Sequence, residues 1–240
     1  MKVAVIGGGG REHALVWRLL RDGAQVWALP GSAAIPGSRA VEVTDHAAVL
    51  AELRALAVDL VVIGPEAPLQ AGLADDLRAA GLLVVGPGRA GAQLEASKVF
   101  AKQFMARHGV ATAQFTAVAG AGEALAALHA FGPGVVVKYD GLAAGKGVVV
   151  CNDRADAEAA VAALCGQYGA AAPLVIEERL RGREVSVLAL VDGERARLLP
   201  PEWNFHGRTR QPPTDPVNAL LSFGYALLYH NVHALLRVRG

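Results

Sequence analysis

Short β-branched runs alternate with longer alanine- and leucine-rich stretches of helical spacing through the first third of the chain. The pattern predicts strands at Lys2–Ile6, Gln25–Ala28, Asp59–Ile63 and Leu83–Val85, with helices between them at about Arg11–Arg21, Ala47–Leu56 and Leu69–Ala80. Strands separated in this way by helices are the pattern of a parallel sheet covered by helices. A further helical pair, about Ala90–Glu95 and Lys98–His108, leads away from that sheet.

Near residues 109 to 113 the pattern changes to strands around Gln114–Ala117, Val135–Tyr139, Gly147–Cys151, Leu174–Glu177 and Val185–Val191, with helices at Ala121–Ala130 and Arg154–Leu164. This second set is α+β in character. A third change begins at Pro200-Pro201, where prolines up to Pro213 remove the donors a sheet would need. Asp215 and Pro216 then make a helix cap and a first helical position. The helix predicted from Pro216 to about Leu236 is apolar nearly all round between Ala219 and Leu228, so it is expected to dock or self-associate. The reading divides the chain into 1–110, 111–199 and 200–240.

At 240 residues the chain can hold a sizeable core in more than one domain, and its formal charge of +1 removes the electrostatic motive for broad nucleic-acid or membrane binding. Cys151 and Cys165 lack metal-ligand spacing, as do His13, His46, His108 and His129. Only six residues precede Gly7, too few for a signal peptide, and a reducing cytoplasm is the expected setting. The most apolar C-terminal stretch is interrupted by Ser222, Gly224, His230 and Asn231, which argues against a membrane span.

The densest chemical signal lies in residues 136–150, where two apolar segments flank a glycine-rich loop with Lys138 on one side and Lys146 at its end. Glycines let backbone N–H groups approach anionic oxygens, and lysines neutralise phosphate charge. A Walker-type loop is excluded: Gly141 to Gly145 is one residue too short, Gly147 stands where Ser or Thr belongs, and a β-branched run follows instead of a helix. A plain hairpin with a flexible tip would explain the glycines. It gives no reason for Lys138 in an apolar strand, where an unpaired ammonium is costly to bury.

Gly7-Gly8-Gly9-Gly10 ends the first strand like a dinucleotide fingerprint, but Glu12 holds the third-glycine position and the second strand ends in Leu29-Pro30-Gly31 without a ribose-binding acid. The helix N-terminus there fits a phosphate-bearing small substrate better than NAD, and four glycines point to close ligand approach. Glu66 follows the third strand at the carboxyl edge of the sheet, where ligands of such folds gather. The connection from Glu177 to Glu184 packs three carboxylates that could read a ribose or simply solvate a turn, and Lys98 could be an ordinary helix-surface charge.

Taken together, residues 5–14, 62–69, 93–98, 140–148 and 176–178 resemble phosphoribosylamine–glycine ligase, an ATP-grasp family of purine biosynthesis, over about residues 1 to 199. The resemblance implies an α/β chain: a parallel-sheet, Rossmann-like N-terminal domain followed by an α+β ATP-grasp domain and a C-terminal helical tail. It further implies that Gly8, Gly9, Gly10 and Glu66 hold phosphoribosylamine. Lys98 and Lys138 would meet ATP phosphates, and Gly145, Lys146 and Gly147 would lie in a loop over them. Glu177, Glu178 and Leu180 would form the adenine hinge, with Glu184 on the ribose. The implied reaction joins glycine to phosphoribosylamine through a glycyl phosphate, with Mg²⁺ on the nucleotide. No side-chain nucleophile is needed.

In that family the sequence after the equivalent of Val191–Glu194 continues into a substrate loop, a metal-binding Glu and Asn, and a C-terminal domain. None is recognisable here, so the expectation is a shortened chain that keeps its N-terminal fold and lacks ligation activity. Residues 202–240, with Asp215-Pro216-Val217-Asn218-Ala219-Leu220-Leu221-Ser222-Phe223-Gly224-Tyr225, are instead similar to a fragment of the CRISPR-associated integrase that inserts spacers.

Overall fold

A computed structural model describes residues 1–143, 146–182, 189–191 and 196–198 of the chain. Contacts divide it into two compact units, the first containing Met1–Ala92 and the second Gln93–Arg183. The expected helix 216–236 and the strand before Ala189 lie outside the described residues.

In the first unit, β1 (Lys2–Gly7), β2 (Gln25–Pro30), β3 (Leu60–Ile63) and β4 (Val84–Val85) form one sheet in the order β2-β1-β3-β4, with every pairing parallel. Val3, Ala4, Val5 and Ile6 on β1 are wholly buried. A central parallel strand is covered on both faces, which is why it reads as a continuous apolar run rather than an alternating one. Helices α1 (Gly10–Arg21) and α2 (His46–Leu56) join the first three strands. Asp45 caps α2 by accepting from Ala48 N at 3.0 Å, and Ala57 ends it in the left-handed conformation.

The stretch expected as one helix, Leu69–Ala80, is two: α3 (Glu66–Ala71) and α4 (Leu73–Ala79). Gly72 sits between them at φ 93°, closing the first and opening the second. An apolar period continues across such a break, so periodicity alone did not reveal it.

The second unit opens with α5 (Arg89–Ala96), which straddles the division, and α6 (Lys98–Arg107). Ser97 separates the helices and caps α6 by accepting from Phe100 N at 3.0 Å. Four strands follow, β5 (Phe115–Ala119), β6 (Val135–Tyr139), β7 (Val148–Val150) and β8 (Pro173–Glu178), in the order β5-β8-β6-β7 and antiparallel throughout. Helices α7 (Gly120–Ala127) and α8 (Arg154–Tyr168) cover one face; Asp153 caps α8. The division at Gln93 lies ahead of residues 109–113, where strand character changes, because α6 is tied by polar contacts to β6 and β8. Two further strands, β9 (Ala189–Val191) and β10 (Ala196–Leu198), pair antiparallel.

Alternation along β6 and β8 sets up the chemistry. Val135 and Val137 on β6, with Leu174 and Ile176 on β8, point into the core under α7 and α8. Successive side chains point to opposite faces, so Val136, Lys138, Val175 and Glu177 share the other face.

Candidate functional site

Lys138 and Glu177 are diagonal neighbours across the β6/β8 pair: Lys138 stands opposite Val175, and Glu177 opposite Val136. The Lys138 Nζ lies 2.7 Å from Glu177 Oε1, an ion pair without the angle of a hydrogen bond, so that buried oxygen has a charge beside it but no donor in line. This placement accounts for the lysine in an apolar strand, since burial beside a carboxylate removes most of the cost of burial alone. Across from it, Lys102 of α6 sends its Nζ to within 2.9 Å of Glu177 Oε2 and also donates to Thr112 Oγ1 at 2.8 Å. Glu177 is 4 % exposed and Lys102 is 7 % exposed.

One turn back on α6, Lys98 donates from its Nζ to Gly141 O at 3.0 Å. Burial lowers its pKa below the ordinary lysine value; Lys138 acts in the same direction, and Asp140, Glu95 and Glu177 act against it. Asp140, the residue after β6, accepts from Lys98 N at 2.5 Å, Val99 N at 3.2 Å and Ser97 Oγ at 3.0 Å. It therefore satisfies the free N–H groups of the first turn of α6 and fixes that helix to the start of the glycine loop. Two lysine ammoniums, those of Lys102 and Lys138, thus flank one deeply buried carboxylate, and the ammonium of Lys98 lies beside the start of the glycine loop. The cluster has cationic charge to spare, which is what a polyanion such as a triphosphate requires.

The glycine loop is a β6–β7 connection, as its sequence indicates, with Lys138 opposite Val148. Gly147 O accepts from Tyr139 N at 2.7 Å and closes its base. A Cβ on Gly141 would stand 2.7 Å from the Tyr139 ring, and one on Gly147 would stand 2.7 Å from Ala143 Cβ. Lys146 is exposed, while Gly145 lies outside the described residues.

At the end of β8, Glu178 accepts from Gln114 N at 2.9 Å, and its own N–H donates to Gln114 O. Its side chain is thereby engaged in fastening β5. Arg179 donates to Asn152 Oδ1 at 2.6 Å, and Leu180 is exposed. Glu184 lies outside the described residues.

In the first unit, Arg11 donates to Glu66 Oε2 at 3.3 Å, which brings the Gly8–Gly10 turn and the β3–α3 connection together. Glu12 is buried, and its Oε2 accepts from Gly9 N at 2.8 Å. Packing gives these glycines a role of their own: a Cβ on Gly7 would stand 2.6 Å from Glu12 Cγ, one on Gly8 would collide with Gly31 O, and one on Gly9 would stand 2.9 Å from Glu12 Oε2. Packing around the buried Glu12 thus bears on Gly7 and Gly9, and the approach of the Gly31 backbone bears on Gly8. Gly64 gives way to the same side chain, since its Cβ would strike Glu12 Oε1. A dinucleotide fold puts the small residue on the helix; here the helix carries the glutamate and the strand ends carry the glycines.

Sequence reading did not find Lys102, Asp140, Arg11 or Glu12 as members of these clusters. Only the i,i+4 spacing of Lys98 and Lys102 was available, and it marks a shared helix face without saying what that face meets. Among the described residues, no group of three or more His, Cys, Asp or Glu could hold a metal ion, and no helix is long and apolar enough to cross a membrane.

A parallel α/β unit followed by an antiparallel unit with a lysine-rich sheet face and a glycine loop defines an ATP-grasp type of chain. Residues 1–95 match phosphoribosylglycinamide synthetase, N domain, and residues 96–211 match the ATP-grasp (A) domain of the same synthetase. Over residues 1–211 the chain belongs to the phosphoribosylglycinamide synthetase family. The match passes residue 199 and takes in the first part of the segment that resembled an integrase fragment. The phosphoribosylamine–glycine ligase of Xylella fastidiosa is 45% identical over 206 residues, covering 82% of this chain and 48% of the relative. The trifunctional purine biosynthetic protein adenosine-3 of Drosophila melanogaster is 43% identical over 229 residues, 90% of this chain and 17% of that protein. The crystal structure of the Thermotoga maritima phosphoribosylamine–glycine ligase superposes with a TM-score of 0.65 at 31% identity, covering 83% of this chain and 49% of that one. The chain spans about half the length of the bacterial relatives it matches.

Proposed function

We propose that the second unit binds ATP and that the chain carries the ATP-holding and phosphoribosylamine-holding parts of a ligase that joins glycine to 5-phosphoribosylamine in purine biosynthesis. The observation that carries this reading is the Lys98, Lys102, Lys138 and Glu177 cluster beside the glycine loop. Lys98 and Lys138 are the partners for the phosphates, with Lys146 and Gly147 in the loop beside them. Backbone groups from Glu178 to Leu180 are the adenine edge. Mg²⁺ enters with the nucleotide, whose own phosphate oxygens are its natural ligands. Gly8 to Gly10, with Arg11 and Glu66, are the place for the phosphorylated amine.

In the reaction the γ-phosphoryl group of ATP passes to a glycine carboxylate oxygen, leaving ADP and a glycyl phosphate. The amine nitrogen of phosphoribosylamine then attacks the acyl carbon, the bond to the phosphate oxygen breaks, and the nitrogen loses a proton as the amide forms. The protein's part is positioning and charge neutralisation, which suits a site built of lysines and backbone. Both cysteines are free and buried, in keeping with a cytoplasmic setting.

Calorimetric titration of the chain with ATP and Mg²⁺ tests the reading. Saturable heat with a matching thermal shift is expected, and ADP formation that depends on both glycine and phosphoribosylamine extends it to the full reaction. Absence of both heat and thermal shift overturns nucleotide binding.

A further inference from the structure

We propose that Lys102 is a positioning residue for the nucleotide phosphates, acting through Glu177 on Lys138. The inference rests on the ATP-binding reading above. Lys102 is buried; its ammonium donates to Thr112 Oγ1 at 2.8 Å and to Ala113 O at 3.4 Å, and it forms an ion pair with Glu177 Oε2 at 2.9 Å. Three protein oxygens already surround its three protons, and its burial keeps a ligand away. Lys138 is different: among the described residues Glu177 Oε1 at 2.7 Å is its one side-chain partner, and its side chain is 24% exposed against 9% for Lys102.

Glu177 therefore faces one buried lysine with further oxygen partners and one more exposed lysine with no other side-chain partner among the described residues. The buried lysine compensates the carboxylate, so Lys138 can leave it for a phosphate without stranding an unpaired buried anion. Without Lys102, that escape is blocked. Glu177 would then hold Lys138 as its only counter-ion, and a phosphate would have to compete with a buried carboxylate, an exchange that is strongly unfavourable.

The test uses the full chain and compares ATP with adenosine by calorimetry, each with Mg²⁺, for wild type, Lys102→Met, Lys102→Arg and the double variant Lys102→Met/Glu177→Gln. Lys102→Met is expected to weaken ATP by about tenfold, the order expected for losing a charge-assisted contact, and to leave adenosine unchanged. Lys102→Arg, which keeps the charge, restores part of the loss. The double variant removes the carboxylate that traps Lys138, so ATP affinity returns to within about threefold of wild type, as a coupled pair requires. A role in folding alone would weaken ATP and adenosine alike and would be worsened by the second substitution.

Wild type that binds ATP while Lys102→Met binds it equally well overturns this inference and leaves the ATP reading standing. A double variant no tighter than Lys102→Met also overturns it. Wild type that binds no ATP overturns both. Should Lys102→Met fail to fold, shown by loss of its thermal transition, the double variant decides: neutral replacement of a buried pair is tolerated, and near-normal ATP affinity supports the inference while a large loss refutes it.

Discussion

Lys102 and Glu177 meet at 2.9 Å in the interior of the second unit, joining α6 to the middle of the sheet. Removing one partner of a buried ion pair leaves an uncompensated charge at about 3 kcal/mol or more. Glu177→Gln strands the two ammoniums of Lys102 and Lys138, whereas Lys102→Met leaves Glu177 with Lys138. Urea denaturation is expected to show a loss of about 3 kcal/mol for Glu177→Gln and a smaller loss for Lys102→Met. Equal losses would contradict the shared-carboxylate arrangement.

Glu12 and Gly64 occupy one volume, so they should be coupled. Gly64→Ala drives a methyl group into the Glu12 carboxylate and is expected to destabilise by about 2 kcal/mol through overpacking. Glu12→Ala removes the obstacle, so in the double variant the Gly64→Ala penalty should shrink by at least half, as close neighbours do in a double-mutant cycle. Additive losses would mean that the two residues do not share this space.

Asp140→Ala removes the acceptor for two N–H groups at the start of α6. The expected cost is about 1 kcal/mol, the scale of a helix cap, read as a lowered denaturation midpoint with unchanged slope. Because Asp140 also favours the protonated form of Lys98, the same variant should lower the Lys98 pKa further.

Lys98 supplies a pH test. Its pKa is lowered from the ordinary 10.5, first by burial. The cation is the form that meets phosphate, so ATP affinity should decline as pH rises through that lowered value, before an ordinary lysine would titrate. The sign for stability is opposite: the fold disfavours charged Lys98, so this group's contribution improves as pH rises through the lowered pKa towards 10.5. Lys98→Arg does not titrate in this range and should remove the alkaline decline, measured as ATP affinity across a pH series. A decline that persists in Lys98→Arg assigns it to another group.

Cys151 is fully buried, and burial pushes its thiol pKa up, with Asp156 acting in the same direction. Alkylation by iodoacetamide at neutral pH should be slow in the native chain and rapid in urea, because the thiolate is the reactive form. Rapid native labelling of Cys151, followed by peptide mass analysis, would disagree with this packing.

The sequence by itself determined the order of strands and helices, the parallel first sheet, the strand-loop-strand around Gly141–Gly147 and the family that residues 1 to 199 resemble. These features rest on local period, turn residues and motif spacing, all written within short windows of chain. The break at Gly72, the use of glycines 7 to 9 and the cation cluster needed the tertiary structure. A single positive-φ residue splits a helix without disturbing its apolar period. Gly7 and Gly64 are explained by a side chain that comes from α1. Glu177 acquires Lys102 and Lys138 through strand register and the seating of α6, and partners so distant along the chain leave no local trace. Sequence could show that lysines were present; only the folded structure decided that Lys102 and Lys138 share a buried carboxylate while Lys98 does not.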